Sequence, residues 1–385
     1  MDNVTEDHKE VKVLHIVGSV TEAVYSFLGP AAEVLSEAGF SQTIVMLDEP
    51  QHRHLQTRFP KAIRLETVPV DARSRRHWFV MTKVIQKLIA THHYSAIHLH
   101  GFLPWAFGTR MGRLIPRHTR VYYSPHGSRT LTLLRPLQAM LGSVMSLLGT
   151  GPHKVIASSG ADAQRVSSAD RKRPVLTIEG AIDDTFFELP RQEARRPLLV
   201  SGDPDDNNRS VELFCRLAVV LSAAELGLSF NWIGQLDPVS AARLKAANVG
   251  SFAISDHKEM AARLAPGWIF VAAGEADEFP ILLAWAMALG LPCVVSDTAH
   301  HRDLITHGGN GLIYRSEEEA LAQVSKLIDS VALRTELGLA ARAEAQRRLS
   351  QSKLTDALLA AYRGGPGRNG TPVPTPSNGL PRHTH

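Results

Sequence analysis

The sequence predicts an α/β protein made of two doubly wound, parallel-sheet domains in tandem. Short apolar runs with many β-branched residues alternate with helix-like segments, beginning with the run from Val11 to Gly18. Such alternation favours parallel strands with helices on both faces of the sheet. The pattern lapses between Asp183 and Pro197 and then restarts at PLLVSGD. The lapse therefore indicates a linker between two separate α/β units.

Composition excludes several other classes of protein. The chain has 385 residues, of which 44% are hydrophobic and 21% charged, so it can bury two cores and is not disordered throughout. No apolar run approaches the roughly 20 residues of a spanning helix, and the acidic start leads us to expect no secretory signal peptide. The two cysteines, Cys215 and Cys293, exclude a disulfide scaffold and fit a reducing cytosol. A net charge of +4 permits a phosphate-bearing ligand or an anionic membrane surface without requiring either.

The first unit is predicted to cover residues 11–183 and to be followed by a linker over 184–197. Its further strand-like segments are SQTIVML, IHLH, VYYSPHG and KVIASSG. Each is rich in β-branched, aromatic or other apolar residues, and each is bounded by glycine or polar residues. Ligands of doubly wound sheets bind beyond the carboxyl ends of the strands, where these glycines and polar residues fall.

The second unit is predicted over residues 198–345. Its strand-like segments are PLLVSGD, LSFNWIG, GWIFVAAG and LPCVVSD, and HGGNGLIY is predicted to be a turn that enters a further short strand. Amphipathic periodicity predicts one helix from about Glu317 to Ser330 and another from about Arg334 to Tyr362. We expect the helical part at 346–363 to pack back toward the first domain. The tail at 364–385 is rich in Gly, Pro, Ser and Thr and is expected to be disordered.

The most informative segment runs from Asp277 to Tyr314. Acidic residues precede Phe279 and Pro280, and an apolar helix is predicted to begin at once. Proline suits the first helical position, because its missing N–H would have no partner there. The free N–H groups and the positive dipole end of such a helix attract phosphate. This segment therefore predicts an anion site at a helix N-terminus.

With EFP, AMALGLPCVVSD and HGGNGLIY in this order, the segment resembles the retaining glycosyltransferases of family 4 (glycosyl transferases group 1). Weaker matches, HIVG, SPHG and IEGAIDDTFF, extend the resemblance over nearly the whole folded chain. The resemblance implies the GT-B architecture, in which two Rossmann-like domains face each other. It also implies transfer of a sugar, with retention of anomeric configuration, from a UDP- or GDP-sugar to a glycan or lipid-linked acceptor.

The same resemblance assigns roles to residues that match the family's motifs. His126 and Asp277 would be the catalytic residues: the histidine would touch the donor sugar and support charge in the transition state, and the acid would contact sugar hydroxyls. The remaining positions would bind the nucleotide sugar, with the phosphates on the arginine and the helix N-terminus. They are Gly18, Gly202, Arg209, Glu278, Phe279, Pro280, Ile281 and Trp285.

Two departures from the family pattern affect the donor site. Trp285 stands where the second acid of the E-x7-E motif would hold a ribose, and an indole offers only an N–H donor. It could stack on a base or sugar, or fill core. Asp203 stands where an arginine would clamp the diphosphate, and Asp205 and Asp206 add repulsive charge. Asp203 and Asp205 also form a D-x-D pattern suited to Mg²⁺, but we favour a solvated acidic loop and expect no metal.

Other histidines and basic residues leave alternatives open. His98 and His100 have a spacing that fits metal ligands, but the sequence offers no third ligand. The family's G-G-x-P-E loop is replaced by the residues at 300–303, of which His300 or Arg302 could contact phosphate or be an exposed loop residue. The basic, aromatic segment from Arg73, with the apolar stretch at 131–148, suits either an interfacial helix on anionic lipid or an amphipathic helix on its own sheet.

The leading hypothesis is a hexosyltransferase of bacterial polysaccharide or cell-surface glycan biosynthesis. It would be cytoplasmic, with a peripheral contact at the cytoplasmic face of the inner membrane as an open alternative, and would need no tightly bound cofactor. No nucleic-acid-binding module is evident. Because Trp285 and Asp203 replace a family Glu and Arg, the rival hypothesis is a catalytically impaired GT-B protein that serves as a scaffold or regulator. A nucleotide-sugar epimerase, which shares the fold, is a third.

Overall fold

Two parallel β-sheets, one in each half of the chain, form the framework of the fold. The computed structural model describes residues 11–70, 76–101, 115–116, 118–126, 154–169, 174–202, 208–224, 227–234, 236–253, 256–272 and 279–363. The strands of the first sheet are β1 (Lys12–Val17), β2 (Ser41–Asp48), β3 (Arg64–Pro69), β4 (Ala96–His100), β5 (Arg120–Ser124), β6 (Lys154–Ala157) and β7 (Val175–Thr177). Those of the second are β8 (Leu198–Gly202), β9 (Ser229–Ile233), β10 (Gly250–Phe252), β11 (Ile269–Ala272), β12 (Cys293–Ser296) and β13 (Leu312–Tyr314).

Helices connect these strands. Those of the first domain are α1 (Glu22–Glu37), α2 (Arg53–Gln56), α3 (Arg76–Thr91) and α4 (Gly160–Ala169), and the linker contains the single-turn helix α5 (Thr185–Glu188). The helices that follow are α6 (Asn208–Ala224), α7 (Pro238–Ala246), α8 (His257–Leu264), α9 (Ile281–Ala288), α10 (Ala299–Leu304), α11 (Glu317–Asp329), α12 (Val331–Leu349) and α13 (Gln351–Arg363).

Both sheets are doubly wound. Their strand orders are β3-β2-β1-β4-β5-β6-β7 and β10-β9-β8-β11-β12-β13, and every described strand pair is parallel. The order reverses between β1 and β4 in the first sheet and between β8 and β11 in the second. Such a reversal of strand order is called a topological switch point. Open α/β sheets bind their ligands there, in the crevice beyond the carboxyl ends of the strands. Two parallel-sheet α/β domains of this kind make up the GT-B architecture predicted for the chain.

The two faces of the first sheet bury different residues, because side chains alternate along each strand. Leu14 and Ile97 belong to the core on one face, together with apolar residues of α3. Val13 and Ala96 belong to the core on the other face, together with residues of α1 and α13. His15, which lies two residues after Val13, is therefore on the face that α1 and α13 cover.

Three strands were not predicted from the sequence, and all three lie at sheet edges. These are β3, β7 and β10, and each includes partly or fully exposed residues. An edge strand packs fewer neighbours than a central one and so lacks the buried apolar run that identifies the central strands.

The C-terminal helix predicted from Arg334 to Tyr362 is instead two helices, α12 and α13, so that prediction is wrong. Ser350 between them has an extended backbone, with φ −74° and ψ 152°. Serine competes with the helical backbone for hydrogen bonds and favours helix ends, which explains the break. After it, α13 packs on α1 of the first domain, where the Tyr122 hydroxyl donates to the Ala361 carbonyl oxygen over 2.6 Å.

Candidate active site

A group of four histidines lies toward the carboxyl ends of the central strands of the first sheet. His15 on β1 is the register partner of His98 on β4, and His100 follows on the same face. His126 lies two residues beyond β5 with φ +40°, a left-handed backbone that residues other than glycine rarely adopt. Such unusual backbones occur often at functional sites.

Three of these imidazoles form a hydrogen-bonded row. His15 Nδ1 lies 3.1 Å from His100 Nε2, and His100 Nδ1 lies 2.9 Å from His126 Nε2. The planes of the His100 and His126 rings are nearly parallel, inclined by 14°, with centroids 5.1 Å apart. The row therefore leads from the buried His15 to the partly exposed His126 at the end of the sheet.

All four imidazoles are expected to be neutral at pH 7. Burial lowers the pKa of His15 and of His126 to about 4, because a charged ring loses its hydration. Burial also lowers the pKa values of His98 and His100 well below the ordinary value, and neighbouring histidines add repulsion to both. A neutral imidazole has one N–H and one lone pair, so each ring in the group can both donate and accept a hydrogen bond.

His98 is held by two partners of its own. The Ser124 hydroxyl donates to the Ile156 carbonyl oxygen over 2.8 Å, so its oxygen accepts from His98 Nε2, also over 2.8 Å. His98 Nδ1 must then be the lone pair that accepts from the Tyr362 hydroxyl at 2.5 Å. The tautomer of His98 is thus fixed by β5 and by α13.

Sequence reasoning missed His15, which is the third imidazole that the metal hypothesis lacked. One ring nitrogen of each of His15, His98 and His100 lies within 4.8 Å of the others, a spacing that could hold a metal ion. However, both nitrogens of His98 already have partners, and the three neutral ligands would leave a divalent charge uncompensated in the core. The signal available in the sequence was the position of His15 inside an apolar strand, as for His98.

Two of the predicted donor-binding positions of the second domain, Gly202 and the start of α9, lie close together. A Cβ atom on Gly202 would lie 2.1 Å from the Ile233 carbonyl oxygen and 3.1 Å from Leu282 Cδ1, so glycine is required there. Helix α9 begins at Ile281, with Pro280 as its N-cap residue, one position later than predicted. Pro280 caps it without a side-chain hydrogen bond, so within the described residues no capping side chain occupies the first N–H groups of α9.

Other predicted site residues are only partly placed. Gly18 is buried directly after β1, where its carbonyl oxygen accepts from Leu47 N over 3.1 Å, and Phe279 is half-buried against the core around α9. Arg209 lies in the first turn of α6, but its side chain is outside the part that the structure describes. Further predictions fall on residues outside it as well. These are Asp203, Asp205, Asp206, Asp277, Glu278 and the segments 73–75, 131–148 and 364–385.

Trp285 packs between the second domain and the linker. Its indole lies parallel to the Phe186 ring of α5, with centroids 5.0 Å apart, and meets the His257 ring edge-on at 5.3 Å. Only 9% of Trp285 is exposed. Of the two alternatives left open for this residue, the structure places it in the core.

The loop that replaces G-G-x-P-E forms helix α10 against the first domain. His300 is only 1% exposed, so the alternative of an exposed loop residue is wrong for it. Its Nε2 lies 3.2 Å from Arg165 Nη1 of α4. Arg302 is the exposed member and donates to Asp297 Oδ1 over 2.5 Å. His300 thus contributes to the contact between domains.

A second contact between domains runs through His257. Arg58 can only donate, so its Nη2 donates to His257 Nε2 over 2.7 Å, and His257 Nδ1–H donates to Asp183 Oδ2 over 3.2 Å. The hydrogen bond from His257 holds the pKa of Asp183 well below its usual value. The first domain, with Arg58 and its last residue Asp183, is therefore joined to the second domain through His257.

Helix α3 has a buried and an exposed face. Met81, Ile85 and Leu88 are buried against the first sheet, as expected of an amphipathic helix on its own sheet. Phe79 is 63% exposed, and Lys83 Nζ lies 4.6 Å from its ring centroid. Among the residues that the structure describes, no helix is both long and apolar enough to span a membrane.

Comparisons with known proteins agree with this architecture. Residues 195–330 match the family model described as "Glycosyl transferases group 1". A glycosyltransferase from Rickettsia africae ESF-5 superposes with a TM-score of 0.76 at 13% identity, covering 92% of this chain and 98% of that chain. Anabaena HepE in complex with UDP and glucose gives 0.75 at 12% identity, covering 92% and 100%. Sucrose-phosphate synthase from Thermosynechococcus elongatus gives 0.74 at 13% identity, covering 91% and 98%.

No curated protein matches the sequence significantly. The matched family model covers the second domain, and the solved structures cover almost the whole chain. The glycosyl transferases group 1 domain and the two-domain GT-B fold together support a glycosyltransferase enzyme.

Proposed function

We propose that this protein transfers a hexose from a nucleotide sugar to a glycan or lipid-linked acceptor, with retention of anomeric configuration. The observation that carries the proposal is the pairing of Gly202 with the start of α9 at the switch point of the second sheet. A backbone without a side chain and a helix N-terminus are what a diphosphate requires. The glycosyl transferases group 1 match includes both.

The proposed mechanism assigns one task to each predicted residue. Arg209 and the N–H groups at the start of α9 would stabilise the leaving diphosphate, and Asp277 with Glu278 would bind the sugar. His126 would face the sugar from the first domain as it becomes oxocarbenium-like. Contacts between the domains would keep water away from the donor. HepE, which has been solved with UDP, supports a UDP-sugar as the first donor to test.

A peripheral membrane contact is part of the proposal for lipid-linked acceptors. The exposed Phe79 and Val80 stand beside basic residues on α3, which suits an interface with anionic lipid. The proposed setting is polysaccharide or cell-surface glycan synthesis at the cytoplasmic face of a membrane.

Binding of nucleotides is the first test. We would measure thermal shifts of the full chain with UDP, GDP, ADP, TDP and their sugars, with and without Mg²⁺. A ligand at about 100 times its Kd stabilises the folded state by about 2.7 kcal/mol, which is readily detected. A shift with one nucleotide and its sugar supports the proposal, and no shift with any of them contradicts it.

Variants then test the site assignment. Asp277→Ala should lose most of the affinity that the sugar adds to nucleotide binding, and most of the sugar-transfer activity. Glu336→Gln, at an exposed position on α12, should retain both. Unchanged transfer by Asp277→Ala would refute the role of Asp277.

The catalytically impaired scaffold remains the second candidate function, because the packing of Trp285 against Phe186 removes it from ribose binding in this arrangement. It predicts that the wild-type protein binds no nucleotide, and that Trp285→Glu combined with Asp203→Arg gains affinity. The family matched by residues 195–330 favours a transferase over an epimerase.

A further inference from the structure

We propose that Gln42, His15 and His100 form a positioning chain that holds His126 in a single tautomer, with the proton on Nε2 and a lone pair on Nδ1. His126 would then meet its ligand as a hydrogen-bond acceptor for a hydroxyl group. The consequence for the ligand rests on the function proposed above. The chain itself is a property of the ligand-free protein.

The orientation of the Gln42 amide starts the chain. Its Nε2 donates to the Ala32 carbonyl oxygen over 2.7 Å and to Ser36 Oγ over 2.8 Å. The Ser36 hydroxyl donates its own proton to the same carbonyl over 2.9 Å, so its oxygen can only accept from Gln42. The amide cannot be flipped without facing oxygen against oxygen, and Gln42 Oε1 is therefore left as an acceptor.

Gln42 Oε1 decides which nitrogen of His15 carries the proton. Gln42 Oε1 and His15 Nε2 are both buried, and neither has a hydrogen-bond partner within the described residues. Gln42 lies on the same sheet face as His15, on the neighbouring strand. Burial lowers the pKa of His15, and the nearby Gln42 amide opposes that shift, as an oxygen that faces a ring N–H would. Two lone pairs facing each other would repel, so Nε2 carries the proton.

The protonated nitrogen of His15 determines which nitrogens of His100 and His126 donate and which accept. A neutral His15 with its proton on Nε2 must accept at Nδ1, so His100 Nε2–H donates to it over 3.1 Å. His100 must then accept at Nδ1, so His126 Nε2–H donates over 2.9 Å. Neutrality is needed at each step, and burial of the rings supplies it by lowering their pKa values.

His126 Nδ1 is left as the free end. Within the described residues it has no hydrogen-bond partner, and His126 is partly exposed. His98 does not compete for the chain, because Ser124 and Tyr362 occupy both of its nitrogens. Three residues that touch no ligand would therefore determine what His126 can bind. A ligand hydroxyl can donate to it, whereas a phosphate oxygen or a carbonyl cannot.

The first experiment determines the histidine tautomers and their hydrogen bonds by NMR, in the ligand-free full-length protein labelled with ¹⁵N-histidine. Long-range ¹H–¹⁵N spectra identify the protonated nitrogen of each ring, and ¹⁵N–¹⁵N couplings across the hydrogen bonds identify its partner. We expect protons on Nε2 of His15, His100 and His126, with couplings from His126 Nε2 to His100 Nδ1 and from His100 Nε2 to His15 Nδ1. Protons on Nδ1 of His15 or His100, absent couplings, or a stoichiometric transition metal bound to the rings would overturn the proposal.

Variants at the start of the chain test its cause. Gln42→Leu removes Oε1, so His15 should populate both tautomers. His100 and His126, whose tautomers depend on His15, should then populate both as well. Ser36→Ala is the matched control, because it removes a contact on the other side of the amide and leaves Oε1 in place. If His15, His100 and His126 have the same tautomers in Gln42→Leu as in the wild type, Gln42 does not determine which nitrogens carry the protons.

The functional arm compares UDP-glucose with UDP. His100→Leu should weaken the affinity for the nucleotide sugar by about threefold to tenfold, the effect of one hydrogen bond, and leave UDP binding unchanged. Equal losses for both ligands would indicate a merely structural role for His100. If the wild type binds neither UDP-glucose nor UDP, the proposed function is wrong. The NMR spectra of the ligand-free protein still test the hydrogen-bonded chain.

Discussion

The Trp285 indole and the Phe186 ring are stacked in parallel, with centroids 5.0 Å apart and planes inclined by only 7°. Phe186 belongs to the linker helix α5 and is fully buried, whereas Trp285 belongs to α9, the helix proposed to bind phosphate. The stack therefore ties the orientation of the phosphate helix to the segment that connects the domains. An acid at position 285, as in the resembled family, could not make this contact.

Trp285→Ala should lower the free energy of unfolding by about 3 to 5 kcal/mol, because it removes a large ring from a packed core. Trp285→Phe, which keeps a stacking ring, should cost much less. Urea unfolding of both variants measures the difference, with Leu339→Ala, at a site 65% exposed, as the control. A loss for Trp285→Ala no larger than that of Leu339→Ala would contradict the structural role.

Arg348 forms an ion pair with Glu179 that joins the end of α12 to the first domain, and the two side chains are only 18% and 13% exposed. Burial raises the pKa of Glu179, and the arginine opposes that shift. Arg348→Met should therefore destabilise the protein by about 3 to 5 kcal/mol, because it leaves a buried carboxylate unpaired.

A double-mutant cycle tests this pair. Arg348→Met with Glu179→Gln should cost less than Arg348→Met alone, since the buried Glu179 carboxylate is then no longer left without its partner. Chemical unfolding at pH 7 supplies the four free energies. Additive losses would mean that the contact contributes no coupling to stability.

The sequence predicted the central strands and the strand-end residues, but not contacts made by distant segments. The positions of His126 and Gly202 at strand ends could be predicted because His126 comes soon after an apolar strand and Gly202 ends one. The bond between His98 and Tyr362 joins residues 264 positions apart, and it exists only because α13 returns to the first domain. Similarly, the helical pattern around Trp285 does not indicate its stacking partner in the linker.

The stability of the protein should fall as the pH decreases from about 6.5, the value of an unperturbed histidine, toward about 4. Burial lowers the pKa values of five histidines, so in this range the unfolded chain binds protons that the folded protein does not. These are His15, His98, His100, His126 and His301. Each can contribute a slope of up to about 1.4 kcal/mol per pH unit, and stability is regained above pH 6.5.

Urea unfolding at half-unit pH intervals measures this dependence. His15→Leu should reduce the slope between pH 4 and 6.5, whereas His93→Gln, at an exposed site, should leave it unchanged. A slope that is the same in both variants and the wild type would show that His15 is not buried in its neutral form.

Asp303 of the second domain caps helix α4 of the first. Its Oδ2 accepts from Gly160 N over 2.8 Å, and a Cβ atom on Gly160 would lie 2.4 Å from its Oδ1. Within the first domain, Ser159 Oγ accepts from Asp162 N over 3.1 Å at the same helix end. The N-terminal end of α4 therefore has one cap from each domain. Of these two caps, only the one from Asp303 links the domains.

Asp303→Ala and Ser159→Ala should each lower the free energy of unfolding by about 1 kcal/mol, the usual effect of losing a cap. Only Asp303→Ala should also loosen the contact between domains, because Ser159 belongs to the same domain as α4. Small-angle X-ray scattering would detect this as a larger radius of gyration and a larger maximum dimension. If both variants keep the wild-type dimensions, the cap stabilises α4 without controlling the arrangement of the domains.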